Sequence, residues 1–508
     1  MSMPKLLADA LERARSASGG SGGNVIHSSA ILRADRELLL RAGWIRKIIK
    51  GWYLLTKPEA PPGESTQWYA SYWDFLGAYL SRRFGMEYCL SAAASLDRHI
   101  DNPLVPRQVT VMVPKGGGAP LDLPFDTSLL MYNDPKNIPA DRSIIQGLQV
   151  MTLPRALVKI PETYYPNHAQ NAEIALKMVG DPGEIARALI LTESRTAAAR
   201  IIGAYEFLKL DRSANELRKA LEIPFGKIVA KNPFSEGMPL LGPSRIKAPV
   251  AARIEAMWQT AHSTVEIHEK KSVECEFNKN DLLAIVDESY RRDAFHSLSI
   301  EGYQVTEDLI KKVRDGDWDP DSDPEDGKQR ERLAAAGYKD AFRHVRASLA
   351  EVFNGGEAVS VLQAQYQTWY RLLFGYFVRA GVYSADSLVG YRNGPVFIRD
   401  SRHCPPRADS ISDAMDALFT CLSKEPSAMV KAILAHYFFV YIHPYPDGNG
   451  RMARFAMNFL MVAAGRPWTI IRSERRKEYR EALATMDTKQ DISFFADFIL
   501  EEMRESTV

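Results

Sequence analysis

Cysteine is scarce in this chain. Cys89, Cys275, Cys404 and Cys421 are the four in 508 residues, widely separated and without a CxxC pair. That pattern excludes a paired-thiolate zinc site and a disulfide scaffold. Net charge is nearly absent too, at +1, which excludes a chain-wide nucleic-acid polycation but leaves room for a local basic patch. Long apolar runs are missing. The most apolar stretch, Ala428 to Ile442, is interrupted by Lys431 and His436 and is too short to span a bilayer. The N-terminus carries acidic residues early and shows no secretory h-region, so a cytoplasmic protein with no membrane contact is expected. No internal repeat is apparent.

What is present is an ordinary globular composition, 46% apolar and 25% charged, in a chain too long for one core. Four regions are expected: 1–60, 61–245, 246–330 and 331–508. The first begins with a helix over 3–17 and a Gly/Ser-rich loop over 16–24. Helical and then hairpin-like patterning follows to Lys57, as in a small winged helix. Between Ile31 and Lys57 stand seven basic residues (Arg33, Arg36, Arg41, Arg46, Lys47, Lys50, Lys57) against Asp35 and Glu37. Pro58, Pro61 and Pro62 suggest a connector. Region 61–245 reads as a small α+β unit, with helices over 68–83 and 184–210 and a strand over 108–114. Lys115-Gly-Gly-Gly118 reads as a loop. From Ala251 onward the pattern is helical, apart from Val389 to Pro406. The acidic run 315–326 reads as a solvated loop, because Pro320 stands where a calcium loop needs glycine. The expected class is therefore multidomain and mainly α.

The chemistry concentrates in Tyr441 to Phe455. An apolar helix (429–442) runs into His443-Pro444, then Asp447-Gly-Asn-Gly-Arg451, then a second apolar helix through Ala464. Glycines at a helix start let backbone N–H groups converge on an anion, which the helix dipole favours. Arg451 and Arg454, three apart, point to one side of that helix and suit phosphate oxygens. His443 is a candidate base at neutral pH, and Asp447 a candidate Mg²⁺ ligand alongside nucleotide phosphates. A nucleotide-phosphate transfer site is the expectation.

His443-Pro-Tyr-Pro-Asp-Gly-Asn-Gly-Arg-Met-Ala-Arg454 resembles the Fic motif HPFx(D/E)GNGRxxR at every defined position except Tyr445, where the motif has Phe. The resemblance implies a helical Fic core with a hairpin flap and transfer of AMP from ATP to a Ser, Thr or Tyr hydroxyl of a protein. His443 would deprotonate the hydroxyl and Asp447 would hold Mg²⁺. Gly448, Asn449, Gly450 and Arg451 would hold the α- and β-phosphates, and Arg454 the γ-phosphate. Val389 to Pro406 resembles the Fic flap, a hairpin that docks the target by strand addition through Gly390, Tyr391, Arg392, Val396, Phe397 and Ile398. The similarity extends over about residues 265–503.

Ser297-Leu-Ser-Ile-Glu301-Gly302 fits the family's inhibitory pattern (S/T)xxxE(G/N). It implies a brake in which Glu301 neutralises Arg454 and takes the γ-phosphate position. In some such relatives the same glutamate serves removal of AMP, and release of the brake often depends on assembly, which keeps a homodimer open. The front half resembles, more loosely, AbiEi-type antitoxins and transcriptional regulators, through 38–54, the strand 108–114 and 194–203. That implies DNA contact through residues 26–57. The competing readings are a DNA-binding regulator with a nucleotide-sensing Fic unit, and a toxin–antitoxin fusion.

Overall fold

The computed structural model describes residues 3–18, 23–56, 58, 65–235, 239–269, 279–315, 329–399 and 401–506. The Pro-rich connector, apart from Pro58, the tip of the Gly/Ser-rich loop, Lys57, Cys275 and nearly all of the acidic run 315–326 lie outside them. The chain divides into two compact units, Met1–Arg253 with Val396–Cys404, and Ile254–Pro395 with Pro405–Val508.

The first unit opens with α1 (Met3–Ala17), β1 (Val25–His27), a 3₁₀ turn, α2 (Arg33–Arg41), β2 (Ile45–Ile49) and β3 (Trp52–Leu55). The three strands form an antiparallel sheet in the order β1-β3-β2. Ala10, Ala14, Ile26, Leu39 and Ile45 make its core. Next come α3 (Thr66–Phe84), β4 (Cys89–Leu90), α4 (Ala92–His99), β5 (Gln108–Val113), β6 (Leu121–Leu123), β7 (Thr127–Asn133), β8 (Arg142–Ile145) and β9 (Leu148–Met151). A four-stranded sheet runs β4-β5-β7-β6, with β5 and β7 parallel. The apolar face of α3, including Trp68, Tyr72, Phe75 and Leu80, packs with Val109, Val111 and Val113 of β5.

A helical tail follows: α5 (Leu153–Lys159), α6 (Tyr164–Asn167), α7 (Ala169–Met178), α8 (Pro182–Leu191), α9 (Arg195–Phe207) and α10 (Asp211–Phe225). The single helix expected over 184–210 is thus two. Thr192 turns its hydroxyl back onto the Ala188 carbonyl, and Glu193 takes a left-handed φ of 50°, which ends α8.

The second unit is helical, and α11 (Pro249–Glu269) runs into it. It continues with α12 (Lys279–Ile300), α13 (Glu307–Asp315), α14 (Gln329–Phe353), α15 (Ala358–Arg379), α16 (Ile411–Lys424), α17 (Ala428–Ile442), α18 (Asn449–Ala463), α19 (Arg476–Lys489) and α20 (Ser493–Ser506). Because α17 is apolar all round, it can only sit in the interior, and Met429 to Ile442 are buried apart from Lys431. Among the described residues no helix is long and apolar enough to cross a membrane.

The hairpin expected over 389–406 does not form a ladder among the described residues. Pro395, Pro405 and Pro406 supply no N–H. The Arg392 guanidinium takes the Gly394 and Pro406 carbonyls that a partner strand would need. Val396–Cys404 is instead part of the first unit. There Val105 N–H donates to the Arg402 carbonyl at 2.9 Å and Cys404 N–H to the Pro103 carbonyl at 2.8 Å.

Candidate active site

Helix α17 stops at His443, which adopts a left-handed conformation (φ 53°, ψ 58°), and Pro444 disfavours the right-handed helical conformation there. The His443 amide still closes the last turn on the Phe439 carbonyl, at 3.0 Å. Its ring Nδ1 lies 3.0 Å from the Val440 carbonyl, which can only accept. The proton of the neutral ring is therefore on Nδ1, and the basic lone pair is on Nε2.

Between the helices the loop is braced from inside. The buried Asn449 side chain accepts from Tyr445 N–H (3.0 Å) and donates to the Tyr445 carbonyl (2.8 Å). The Asn449 side chain thereby braces the loop from inside, using one of its two amide N–H groups. Tyr445 stacks on Tyr370 at 3.7 Å and 7°, and its buried hydroxyl has no hydrogen-bond partner among the described residues. The ring is a packing anchor. Arg392 ties the flap to this loop: its N–H donates to the Pro444 carbonyl at 2.9 Å and its Nε to the His443 carbonyl at 2.8 Å. Burial lowers the pKa of Arg392 to about 10, so it stays charged at neutral pH. Its guanidinium holds carbonyls of its own chain.

Two glycines shape the start of α18. Gly448 has φ 80°, and a Cβ there would meet the Phe374 ring at 2.6 Å. A Cβ on Gly450 would lie 2.5 Å from Glu301 Oε1, so the carboxylate sits directly against the helix start. First-turn amides have no intrahelical acceptor, and an anion is favoured there. The Asp447 carboxylate, 43% exposed, accepts from Gly448 N–H at 2.6 Å, with Tyr383 Oη 3.4 Å from its Oδ2. Among the described residues no cluster of three His, Cys, Asp or Glu could hold a metal. Asp447 offers one partly exposed carboxylate, the hard oxygen ligand type that Mg²⁺ takes.

The two arginines are both sealed from solvent. Arg454 donates through Nε to Ser297 Oγ (2.8 Å) and through Nη2 to the Ser297 carbonyl (3.1 Å) and to Glu301 Oε1 (2.7 Å). Burial pushes the Glu301 pKa up, but the charges of Arg454 and Arg451 outweigh it and hold the pKa below the usual carboxylate range. Arg451 has no hydrogen-bond partner for any guanidinium nitrogen among the described residues. Its Nη2 lies 3.6 Å from Asp447 Oδ1. Burial pulls its pKa down, yet Tyr303, Asp447 and Glu301 together leave it raised.

The structure brings His443, Asp447, Gly448, Gly450, Arg451, Arg454, Ser297 and Glu301 together in the second unit. In the flap, Gly390 is exposed, Tyr391 meets Tyr366 hydroxyl to hydroxyl at 2.5 Å, and Val396, Phe397 and Ile398 are half-buried in the first unit. Sequence reasoning missed Phe374 and Tyr303 beside Arg451. Phe374 is one of many aromatics on α15 and carries no local signal; Tyr303 could have been noticed two residues past Glu301. In the front unit, Arg33 pairs with Glu37 and Asp35 with Arg13, while Arg41, Lys47 and Lys50 are exposed.

Residues 360–461 match the Fic/DOC family, a span that contains the flap and the His443–Arg454 motif but not Glu301. A protein adenylyltransferase Fic from Nematostella vectensis is 30% identical over 205 residues, 39% of this chain and 43% of the relative. The namesake from Drosophila melanogaster is 26% identical over 258 residues, 47% of this chain and 48% of the relative. The chain spans less than half the length of these curated relatives. A solved fragment of Fic-1 from C. elegans is 16% identical with a TM-score of 0.37, covering 70% of this chain and 95% of that one. The part of the chain that matches the Fic/DOC family is thus residues 360–461.

Proposed function

We propose that this protein transfers AMP from ATP to a hydroxyl of a target protein, and that Glu301 restrains the reaction. The observation that carries the reading is Arg451, a fully buried cation at a helix start whose nitrogens meet no protein acceptor among the described residues. Such a group is costly unless an anion completes it. The curated relatives named protein adenylyltransferase support the reaction class.

In this reading the phosphates sit over the first-turn amides of α18, with Arg451 on the inner phosphates and Arg454 on the outer. His443 Nε2 takes the proton of the target hydroxyl as its oxygen bonds the α-phosphorus. The α–β phosphoanhydride bond breaks and pyrophosphate leaves. Mg²⁺, held by Asp447, would neutralise phosphate charge. Glu301, bonded to Arg454, occupies the place of the outermost phosphate, and ATP binding in line for attack requires it to move. The same carboxylate could orient water for removal of AMP.

Incubation with labelled ATP tests this. Glu301→Gly should produce a modified protein band, and adding His443→Ala should remove it, a loss of about 10²- to 10⁴-fold. A Glu301→Gly protein that binds ATP without modifying any protein would favour the second reading, a regulator whose Fic unit senses nucleotide.

That second reading draws on the front unit, whose helix, strand, turn, helix and hairpin order suits a winged helix. Arg41, Lys47 and Lys50 would meet DNA phosphates. Release of the brake through a homodimer rests on the family resemblance. A cytoplasmic setting is proposed on Cys89, Cys404 and Cys421, which are free thiols.

A further inference from the structure

We infer that Tyr303 is a positioning residue for the nucleotide phosphates, which it serves by holding the Arg451 guanidinium without neutralising it. This rests on the reading of the α18 start as a nucleotide site.

The helix α12 ends at Ile300, and the chain folds back so that Tyr303 N–H donates to the Leu298 carbonyl at 3.1 Å. That return places two side chains of one helix end over the two arginines of α18. Glu301 goes to Arg454 at 2.7 Å. The Tyr303 ring lies against Arg451, whose guanidinium carbon is 5.3 Å from the ring centroid. The Phe374 ring is 4.8 Å from the same carbon. Aromatic faces attract a guanidinium through their quadrupole and leave its N–H rim, the part that recognises phosphate, chemically unsatisfied. A carboxylate in the place of Tyr303 would have held the cation equally well, but would have competed with the anion.

The Tyr303 hydroxyl does not explain the residue. It is buried and has no hydrogen-bond partner among the described residues. The ring is what the site uses, and Arg330 lies over it as well, at 5.1 Å. The helix end thus treats the two arginines in opposite ways. Through Glu301 it fills one, and through Tyr303 it prepares the other. Losing the whole helix end would free Arg454 but leave Arg451 poorly held, whereas losing the Glu301 charge alone would free one and keep the other in place.

The test uses the full-length protein in a Glu301→Gln background, with Mg²⁺, and compares calorimetric affinities for ATP and for adenosine. Tyr303→Phe should change neither by more than about twofold. Tyr303→Ala should weaken ATP by roughly threefold to thirtyfold while leaving adenosine within about twofold, and should raise KM for ATP more than it lowers kcat. Tyr303→Leu, which keeps bulk without a π-face, should reproduce the Ala result and guards against a folding defect. Equal losses of ATP and adenosine, unchanged or tighter ATP binding, or full rescue by Leu would overturn the assignment. If Glu301→Gln alone binds adenosine but no ATP, the nucleotide-phosphate reading itself fails, and this inference with it.

Discussion

Arg451 and Arg454 stand one turn apart on one helix, both shielded from water, with opposite surroundings. Around Arg454 the protein supplies a hydroxyl, a carbonyl and a carboxylate. Around Arg451 it supplies two aromatic rings and a carboxylate no nearer than 3.6 Å. The difference teaches that the chain satisfies one arginine with its own acceptors and gives the other no hydrogen-bond acceptor among the described residues. A site in which both cations were satisfied would have no reason to bind phosphate; one in which neither was would struggle to fold.

The largest effect that could break this comparison is on stability. Arg454→Met leaves Glu301 without its ion-pair partner and should cost about 2–4 kcal/mol, reduced from the fully buried case because that side chain is 26% exposed. Arg451→Met removes a cation that makes no hydrogen bond among the described residues and has the Asp447 carboxylate 3.6 Å away, and it should change stability by less than about 1 kcal/mol, while ATP binding is lost. Denaturant unfolding of the intact chain without nucleotide measures both. Equal costs would mean that Arg451 is a structural ion like its neighbour.

A second contrast lies on α12 itself. Asp293, one turn before Ser297, is buried and accepts from Tyr338 Oη at 2.5 Å. Burial raises its pKa from 3.8 to about 6 despite that hydrogen bond. A raised carboxylate favours the folded state at low pH, and this contribution is lost as pH rises through about 6. Asp293→Asn should therefore flatten the fall in stability between about pH 4 and 7, by about 1–3 kcal/mol. Glu301 has the opposite sign. Its lowered pKa contributes above the ordinary carboxylate value and is lost only as pH falls below it. Glu301 stays charged at neutral pH. A wild-type profile that is already flat between pH 4 and 7 would refute the Asp293 assignment.

The smallest effect concerns Tyr445, where the motif has Phe. Its ring stacks on Tyr370, but its hydroxyl is buried without a partner among the described residues, and burial holds its pKa well above the usual phenol range. Tyr445→Phe should be neutral or stabilising by up to about 1 kcal/mol in thermal unfolding. A marked loss would show that the hydroxyl has a partner the present arrangement lacks.

Much of the site was legible because its parts are close in sequence. Helix periodicity placed Arg451 and Arg454 on one side, proline at 444 ended α17 at His443, and glycines at 448 and 450 opened the next helix. The strand expected over 108–114 and the helix expected over 68–83 were equally plain, since their apolar patterns extend over several residues. Three features were not legible. The Asn449 amide turns inward because the loop backbone needs a brace, which no propensity encodes. The flap lacks a ladder because a single arginine takes the carbonyls of its own chain. Thr192 and Glu193 split a helix through a local side-chain bond that competes with an otherwise uninterrupted pattern.

The motif order thus determined where an anion could sit and which imidazole and carboxylate flank it, since these depend on neighbours within one turn-and-helix unit. Tertiary packing alone decided which arginine is satisfied. Tyr303, Phe374 and Glu301 come from outside that unit, and only folding brings a carboxylate to one guanidinium and aromatic faces to the other.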